Sequence, residues 1–319
     1  MPRLWPRLFP ALVAFTLTCR AFAATGPESI PLPGDRAFPE SITSARDGTL
    51  YASSLATGGI YRILPHSTEA QMWIEPAAFG THSTFGVLAD EKAGLLWVCS
   101  NDLSARGLNV GTADGVSALF GFDLNTGAGK VSAPFPSKPS TCNDIAIGPD
   151  GAAYVTNTAA PQILRLARGA KELEVWFTDP SLQPEKGGGL DGLAFGPDGN
   201  LYVNTVGPGE LYRIDVKKGK ATKLTRLTPS RPLFRTDGMR RYGKNFLLIE
   251  GQGRLDLMTV HGDSASVETL KDGYVIPTGV TSVGRTAWVS EGQLSLLSDP
   301  DKKPALPFHV YAVPLPEPR

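Results

Sequence analysis

The sequence contains few of the residues that mark cysteine–histidine metal sites, and it has no excess of charge of either sign. Its 319 residues include only three cysteines and four histidines, and none of them has the spacing of such a metal site. Lysine and arginine total 31, as do aspartate and glutamate, and no basic cluster has interleaved aromatic residues. Nucleic acid is therefore not expected as a partner. A Gly-x-Ser-x-Gly motif is also absent, which argues against a serine hydrolase.

Long hydrophobic runs are absent too, since the longest one near the N-terminus, 8–17, is too short to span a bilayer. It follows Arg3 and Arg7 and precedes an A-x-A cleavage site at 21–23, which is the pattern of a secretory signal peptide. We therefore expect a periplasmic or secreted protein with a signal peptide at 1–23, one domain at 24–319 and no membrane association after cleavage. Loss of three arginines leaves 28 basic against 31 acidic residues. Export permits a disulfide between Cys99 and Cys142, which the sequence leaves open.

What the chain does contain is a repeated hairpin, clearest at 188–205 (GGLDGLAFGPDGNLYVNT). Pro197-Asp198-Gly199 separates two short strands, because proline suits the second position of a tight turn and glycine supplies a positive φ. We call the residue at which each copy begins its lead residue. The six lead residues are Glu40, Phe85, Asn143, Asp191, Asp237 and Thr278.

The lead residues are 45, 58, 48, 46 and 41 residues apart. Repeats of about 40–50 residues built from short strands are typical of propeller blades. The sequence therefore predicts an all-β fold, a six-bladed β-propeller. The ring could be closed by the last strand, near 308–313, or by the segment 30–33. Pro31 and Pro33 make the second segment a poor member of a hydrogen-bonded ladder.

In a four-stranded antiparallel blade, the lead residues and the loops between second and third strands lie on the same face. The longest such loop, 100–115, is polar and rich in glycine, and loops of this length are often binding loops or lids. It is predicted to overhang the lead residues. The turns at 149–151 and 197–199 are predicted to lie on the opposite face and to be structural.

Four of the lead residues carry oxygen atoms that could hold a metal: Glu40, Asn143, Asp191 and Asp237. Carboxylates that converge on one channel repel each other unless a cation neutralises them. Because every donor is a hard oxygen, Ca²⁺ is the expected ion, and Mg²⁺, Mn²⁺ and Zn²⁺ are alternatives. The structural alternative is that each residue caps a nearby backbone amide in an Asx-turn.

These motifs resemble the senescence marker protein (regucalcin)/gluconolactonase/luciferin-regenerating-enzyme family over nearly all of 24–319. The resemblance rests on Pro39-Glu40, Asn143-Asp144, Gly192 with Pro197-Asp198-Gly199, and Asp237-Gly238-Met239. It implies one divalent cation held by the residues at positions 40, 143, 191 and 237, and hydrolysis of lactones or related esters. It also implies that Asp237 acts as a general base.

Two positions depart from that family. Asp191 replaces an asparagine and adds a negative charge, and Thr141 stands where the sugar-lactone hydrolases have an arginine. Together with Phe85, His82 and Trp97, this favours a substrate less polar than a sugar acid, although His82 and Trp97 could equally be packing residues. Two further carboxylates, at positions 250 and 291, are predicted on the same face as the lead residues. They either support the metal ligands or are exposed to solvent.

The sequence leaves three functional hypotheses. The first is a metal-dependent hydrolase of a small-molecule lactone or ester, in which the cation activates a water and Asp237 or Asp191 accepts the proton. The second is a non-catalytic exported propeller that binds a small molecule or a partner protein, with a structural cation. The third is condensation chemistry like that of alkaloid synthases, which uses a glutamate without a metal. Fold alone does not separate them.

Overall fold

The computed structural model describes residues 1, 27–185, 187–297 and 303–318. The predicted signal peptide at 1–23 lies outside these residues, apart from Met1, so its cleavage stays a prediction. Within the described chain, the helical segments are 3-10 turns of three residues at Ala78–Gly80, Ser104–Arg106, Pro180–Leu182 and Leu294–Leu296. None of them is long and apolar enough to span a membrane.

The described residues form 24 β-strands in five sheets. The first strand, β1 (Ser29–Leu32), belongs to the last sheet. Three sheets are four-stranded antiparallel units whose strands follow one another in chain order. The first contains β2 (Ile42–Ser44), β3 (Leu50–Ser53), β4 (Ile60–Ile63) and β5 (Ala70–Ile74). The second contains β6 (Ser83–Asp90), β7 (Leu95–Asn101), β8 (Ser117–Asp123) and β9 (Gly129–Pro134). The third contains β10 (Cys142–Ile147), β11 (Ala153–Asn157), β12 (Gln162–Leu166) and β13 (Glu174–Thr178).

The fourth sheet has eight strands and consists of two antiparallel halves. One half contains β14 (Leu190–Phe195), β15 (Leu201–Thr205), β16 (Leu211–Lys217) and β17 (Lys220–Pro229). The other contains β18 (Thr236–Tyr242), β19 (Asn245–Glu250), β20 (Arg254–His261) and β21 (Ser264–Lys271). The halves are joined by a parallel contact between β17 and β21 that involves only two residue pairs. The fifth sheet has the order β1, β24 (Phe308–Pro314), β23 (Thr286–Glu291) and β22 (Pro277–Val283).

The strands β2, β6, β10, β14, β18 and β22, which we call the first strands, contact one another in that order and close a ring from β22 back to β2. Apolar side chains fill the space between neighbouring sheets. Leu119 of the second sheet, for example, packs in one buried cluster with Ile145 and Val155 of the third. Each such side chain contributes about 1.5–3 kcal/mol by leaving water. The all-β propeller arrangement predicted from the hairpin repeat is therefore confirmed.

Both segments proposed for ring closure take part in it. β1 pairs antiparallel with β24, and this pairing sets Ile30 opposite Val310. Ile30 and Leu32 are buried, whereas Pro31 between them is exposed. Proline is tolerated here because β1 is an outer strand, where a missing N–H group need not break a ladder.

Cys99 on β7 and Cys142 on β10 form a disulfide, with their Cα atoms 5.1 Å apart. Both side chains are buried. The bond joins the second sheet to the third at the position directly before Asn143. The question that the sequence left open is thus answered by the fold, which brings these two residues of neighbouring sheets together.

The tight turns at 149–151 and 197–199 connect the first and second strands of their units, at the ends remote from the lead residues. Asp150 accepts a hydrogen bond from the Tyr154 hydroxyl at 3.1 Å, and Asp198 accepts the equivalent bond from Tyr202 at 2.9 Å. These carboxylates are engaged within their own sheets, as the structural interpretation of the turns predicts.

Candidate active site at the channel mouth

A bulge interrupts the pairing of the first and second strands at five of the lead residues. In the third sheet, for example, the pairing jumps from Cys142 to Ile145, so that Asn143 and Asp144 leave the regular ladder. The same irregularity occurs between Thr84 and Val87, Leu190 and Leu193, Thr236 and Met239, and Pro277 and Gly279. A bulge redirects a side chain away from its normal alternation and is common beside active sites. The recurrent bulge therefore explains how lead residues come to face the channel.

Glycine follows four of the lead residues and allows neighbouring first strands to approach closely. A Cβ atom on Gly192 would lie 2.6 Å from the Asp237 carbonyl oxygen, and one on Gly238 would lie 2.8 Å from that of Thr278. Real Cβ atoms do not come so close to backbone. Gly86 and Gly279 meet the next first strand in the same way. These four first strands can therefore approach their neighbours closely, because the position after the lead residue has no side chain.

Three carboxyl groups, those of Glu40, Asp191 and Asp237, form what we call the carboxylate cluster. Burial raises the pKa of Asp191 to about 8, and the nearby charge of Asp144 adds to the effect. Burial, followed by the charge of Asp191, raises the pKa of Glu40 and that of Asp237 well above their usual values. The repulsion predicted from the sequence is therefore present, and in the absence of a cation it favours the protonated acids.

Asn143 is fixed beside this cluster by both hydrogens of its amide nitrogen. Nδ2 donates to Thr158 Oγ1 at 2.8 Å and to Asp191 Oδ2 at 3.1 Å. Thr158 in turn donates to the Leu190 carbonyl at 2.7 Å. The Asn143 amide oxygen accepts no hydrogen bond from the described residues, and neither does the Glu40 carboxyl group. Both remain available as oxygen donors to a ligand.

Sequence reasoning missed two charged residues deeper in the channel, Asp144 and Arg240. They form a bidentate ion pair, with Nη1 to Oδ2 at 2.6 Å and Nη2 to Oδ1 at 2.8 Å. The sequence does contain a signal for Arg240: it is charged, whereas the third residue after the lead residue is uncharged in the other five copies. The positive charge of Arg240 partly offsets the rise in the pKa of Glu40 and Asp191.

Hydrogen bonds to Asp102 hold the start and the end of the long loop between β7 and β8. The Asp102 carboxylate accepts N–H groups of Ser104, Asp114 and Gly115 at 2.8, 2.8 and 2.6 Å. The hydrogen bonds from Gly115 and Ser104 hold the pKa of Asp102 well below its usual range. His82 is buried beneath the loop and contacts it through both ring nitrogens, so its role is to hold the loop.

The remaining rim residues also have structural partners. Trp97 is buried, and its Nε1 lies 3.4 Å from Asp90 Oδ2, which supports the packing interpretation. Glu250 accepts a bond from Arg231 at 2.6 Å, and Glu291 accepts the backbone N–H of Val275 at 2.7 Å. These two acids hold rim loops in place. Phe85 is half-buried and packs against the core cluster that contains the disulfide.

Comparison with known proteins identifies relatives at the level of the fold. A family model described as strictosidine synthase-like, N-terminal, matches residues 24–63. No curated protein sequence matches the chain significantly. Among solved structures, the allergen Mala s 1 from Malassezia sympodialis is 14% identical, with 90% of this chain and 96% of that chain covered and a TM-score of 0.69. A gluconolactonase from Xanthomonas campestris is 15% identical, with 92% and 99% covered and a TM-score of 0.65.

A third similar structure is a catalytically inactive virginiamycin B lyase from Staphylococcus aureus with quinupristin. It is 16% identical, with 89% of this chain and 83% of that chain covered and a TM-score of 0.59. The chain shares the propeller fold of these proteins. At such identities the similarity is one of fold, and the gluconolactonase among them supports the resemblance found in the sequence.

The side chains at the mouth have the chemistry of a site for a hard cation. Carboxylate and amide oxygens are the ligands that Ca²⁺ prefers. Among the residues that the structure describes, however, no group of three or more His, Cys, Asp or Glu side chains is arranged as a ready-made metal site. The donor set fits a divalent cation in kind, and the side chains would have to adjust to surround one.

Proposed function

We propose that the protein is a hydrolase of lactones or small esters, resembling the gluconolactonases whose fold it shares. The observation that carries the proposal is the convergence of three carboxyl groups on one end of the channel: those of Glu40 and Asp191, which are buried, and that of Asp237, which is half-buried. Hydrolysis of an ester requires a group that removes a proton from water. Buried carboxyl groups with raised pKa values are a frequent feature of sites that carry out such proton transfers.

Asp237 and Asp191 are the proposed proton acceptors. The Gly238 N–H donates to Asp237 Oδ1 at 2.9 Å, and Asn143 Nδ2 donates to Asp191 Oδ2. Each carboxylate is therefore oriented through one oxygen and keeps the other for a water or substrate. Because burial raises both pKa values, either group acts as a base near neutral pH only when a positive charge stabilises its ionised form.

A divalent cation is the proposed source of that charge. Its ligands would be Glu40, Asn143, Asp191 and Asp237, with Ca²⁺ as the expected ion and Mg²⁺, Mn²⁺ or Zn²⁺ as alternatives. When bound, such an ion polarises a substrate carbonyl and makes a coordinated water more acidic. The chain's contribution is the set of oxygen donors at the lead positions, three of which lie at bulges.

The proposal includes a ring of six blades. The eight-stranded sheet then counts as two blades, because its halves touch through only two residue pairs at their outer strands. The closed ring of six first strands supports this count. We also propose export with cleavage after Ala23. The buried disulfide supports an oxidising compartment, and a mature N-terminus other than Ala24 would contradict the cleavage site.

The decisive experiment combines chelation with two isosteric variants. Protein loaded with Ca²⁺ is assayed against γ- and δ-lactones and aryl esters before and after chelation. Chelation should abolish hydrolysis and lower Tm, because an ion at a hundredfold excess over Kd contributes about 2.7 kcal/mol of stability. Asp237→Asn should reduce turnover by roughly 10²–10⁴. Asp191→Asn restores the asparagine of the family and should retain activity.

Asp272→Asn, an exposed aspartate in a loop on the same face, is the matched control and should behave as the unmodified protein. An inactive Asp191→Asn with an active Asp237→Asn would move the base to Asp191. Full activity in both variants would remove the hydrolase mechanism. A bound ion without hydrolysis of any substrate would favour the alternative of an exported propeller that binds a small molecule or a partner protein.

A second candidate is a metal-independent condensation at Glu40. It is favoured by the strictosidine synthase-like family model, whose match at 24–63 includes this residue, and by the absence of a ready-made metal group among the described residues. In that case Glu40 would serve as the acid–base group, and its raised pKa would suit a proton donor. Activity that survives chelation but not Glu40→Gln would support this candidate over the hydrolase.

A further inference from the structure

Arg240 spans the channel beneath the carboxylate cluster. It lies on β18, three residues after Asp237, and its guanidinium pairs with Asp144 on β10. Nη2 also donates to the Val87 carbonyl on β6 at 3.2 Å. In the ring of first strands, β6 and β18 stand on opposite sides, with β10 and β14 between them. One side chain therefore connects three first strands across the centre of the molecule.

All the partners of this guanidinium are oxygen atoms. Besides Asp144 and Val87, Nη1 donates to the carbonyl of Met239 at 2.9 Å. Asp144 is itself held in place, because it accepts the backbone N–H groups of Ile145 at 2.9 Å and Leu193 at 3.4 Å. Both partners of the ion pair are almost fully buried, with side-chain exposures of 12% for Arg240 and 4% for Asp144. A carboxylate and two carbonyls are a donor set that would also suit a hard cation.

We propose that the Arg240 guanidinium is a resident structural cation of the channel. It holds β6, β10 and β18 together through their oxygen atoms, as a buried metal ion would, and it closes the channel below the carboxylate cluster. A substrate or an ion then reaches the cluster only from the mouth. Because Asp144 follows Asn143 directly, the same ion pair positions Asn143. The inference goes beyond the proposed function, since it would hold for an enzyme or a binding protein.

A resident structural cation differs from an ordinary buried ion pair in one measurable respect. Removing one partner of any buried pair destabilises a protein, because the other charge is left without compensation. Only an enclosed set of oxygen donors, however, would leave a cavity that accepts another cation. The test is therefore whether a cation added from solution replaces the missing side chain.

The variant is Arg240→Ala, and the probes are guanidinium chloride and CaCl₂ at low concentration. We expect Tm to fall by on the order of 10 °C and to recover by at least half with guanidinium. Because CaCl₂ would also bind at the proposed cation site, its effect counts only where it exceeds the shift that it causes in the unmodified protein. Tetramethylammonium chloride, which cannot donate hydrogen bonds or enter the cavity, should have no effect. Arg240→Lys keeps the charge and should melt closer to the unmodified protein than Arg240→Ala.

Arg165→Ala is the matched control. Arg165 also binds two carboxylates, Asp150 at 2.8 Å and Glu174 at 2.7 Å, but on the face away from the mouth and near solvent. Its loss should lower Tm slightly, with no recovery on adding guanidinium. Equal recovery in both variants, or no recovery in Arg240→Ala, would overturn the proposal.

Should Arg240→Ala not fold in plain buffer, the same comparison is made during refolding. Folded protein obtained with guanidinium, but not with tetramethylammonium, supports the resident cation, and failure with both overturns it. The double variant Asp144→Asn/Arg240→Met removes both charges and should show no response to guanidinium, and no response to CaCl₂ beyond that of the unmodified protein. None of these measurements involves hydrolysis, so an inactive protein would not affect their outcome.

Discussion

A further pair of buried acids, Glu250 and Asp256, shares a single cation. Arg231 Nη1 lies 2.6 Å from Glu250 Oε1, and Nη2 lies 2.9 Å from Asp256 Oδ2. Burial raises the pKa of Asp256 to about 6. Burial also acts on Glu250, but hydrogen bonds with the Phe234 N–H, with Asp256 and with Arg231 outweigh it, and the pKa of Glu250 is lowered. The two carboxyl groups therefore titrate in different pH ranges.

This difference predicts a pH dependence of stability. The folded pKa of Asp256, about 6, exceeds the value of 3.8 for an ordinary aspartate, so the folded state holds its proton over that interval. The stabilisation is complete below pH 4 and is lost as the pH rises through 6. Asp256→Asn should remove this loss. The difference in unfolding free energy between variant and unmodified protein should therefore shift in favour of the variant by roughly 1–3 kcal/mol from pH 4 to pH 7.

Urea unfolding at several pH values measures the slope, which is independent of any constant effect of losing the Arg231 contact. Glu268→Gln, an exposed acid on the neighbouring strand β21, is the control and should leave the slope unchanged. A parallel pH dependence for Asp256→Asn and the unmodified protein would show that Asp256 is ionised throughout this range.

At the scale of elements, the loop between β7 and β8 is ordered by a few specific contacts. His82 Nδ1 lies 2.8 Å from the Val110 carbonyl oxygen, and Nε2 lies 3.1 Å from Asp114 Oδ1. Leu108 and Val110, which belong to this loop, are buried. The sequence predicts either a binding loop or a mobile lid here. The structure shows a loop with its own apolar contacts and anchors.

His82→Ala should loosen this loop while the propeller stays intact. Each lost hydrogen bond contributes about 1 kcal/mol, so amide hydrogens in 102–116 should exchange at least about tenfold faster. Hydrogen exchange followed by mass spectrometry resolves the loop from the strands. His261→Ala, at an exposed histidine, should change nothing in this segment. Faster exchange throughout all sheets would instead mean that His82 supports the whole fold.

The sequence predicts some parts of the site and not others. The hairpin period reveals the lead residues, because Gly192 or Pro197-Asp198-Gly199 must stand at fixed positions in a turn or close contact. The ion pair between Asp144 and Arg240 could not be predicted, since its members lie 96 residues apart and meet only when the ring is formed. The same applies to His82, whose two partners are fixed by the path of a long loop.

At the scale of the whole molecule, closure depends on β1. Leu32→Ala should lower the free energy of unfolding by about 2–5 kcal/mol, because its buried side chain fills the space beside β24. Urea or thermal unfolding measures this loss. Pro31→Ala on the same strand, at an exposed position, should change it by less than about 1 kcal/mol. Similar effects of the two changes would show that β1 contributes little to closure.

The architecture could be predicted from the sequence more completely than its closure. Six similar hairpins predict a propeller, whereas Pro31 and Pro33 argued against the segment that becomes β1. The structure shows why the prolines were misleading: an outer strand needs hydrogen bonds on one edge only, and Ile30 and Leu32 provide its apolar contacts. Position within a sheet, which decides whether proline is harmful, is a property of the assembled ring.

The pairing of β1 with β24 determines when, during synthesis of the chain, the fifth sheet can form. β1 is synthesised first among the strands and β24 last, so the fifth sheet cannot be completed until translation has almost ended. If the protein is exported, Ile30 and Leu32 wait without a partner while nearly 280 residues follow them across the membrane. A chain that is truncated before β24 leaves the fifth sheet incomplete and the apolar side chains of β1 exposed. Exposed apolar segments are what proteases and chaperones recognise, so incomplete chains are distinguished from complete ones.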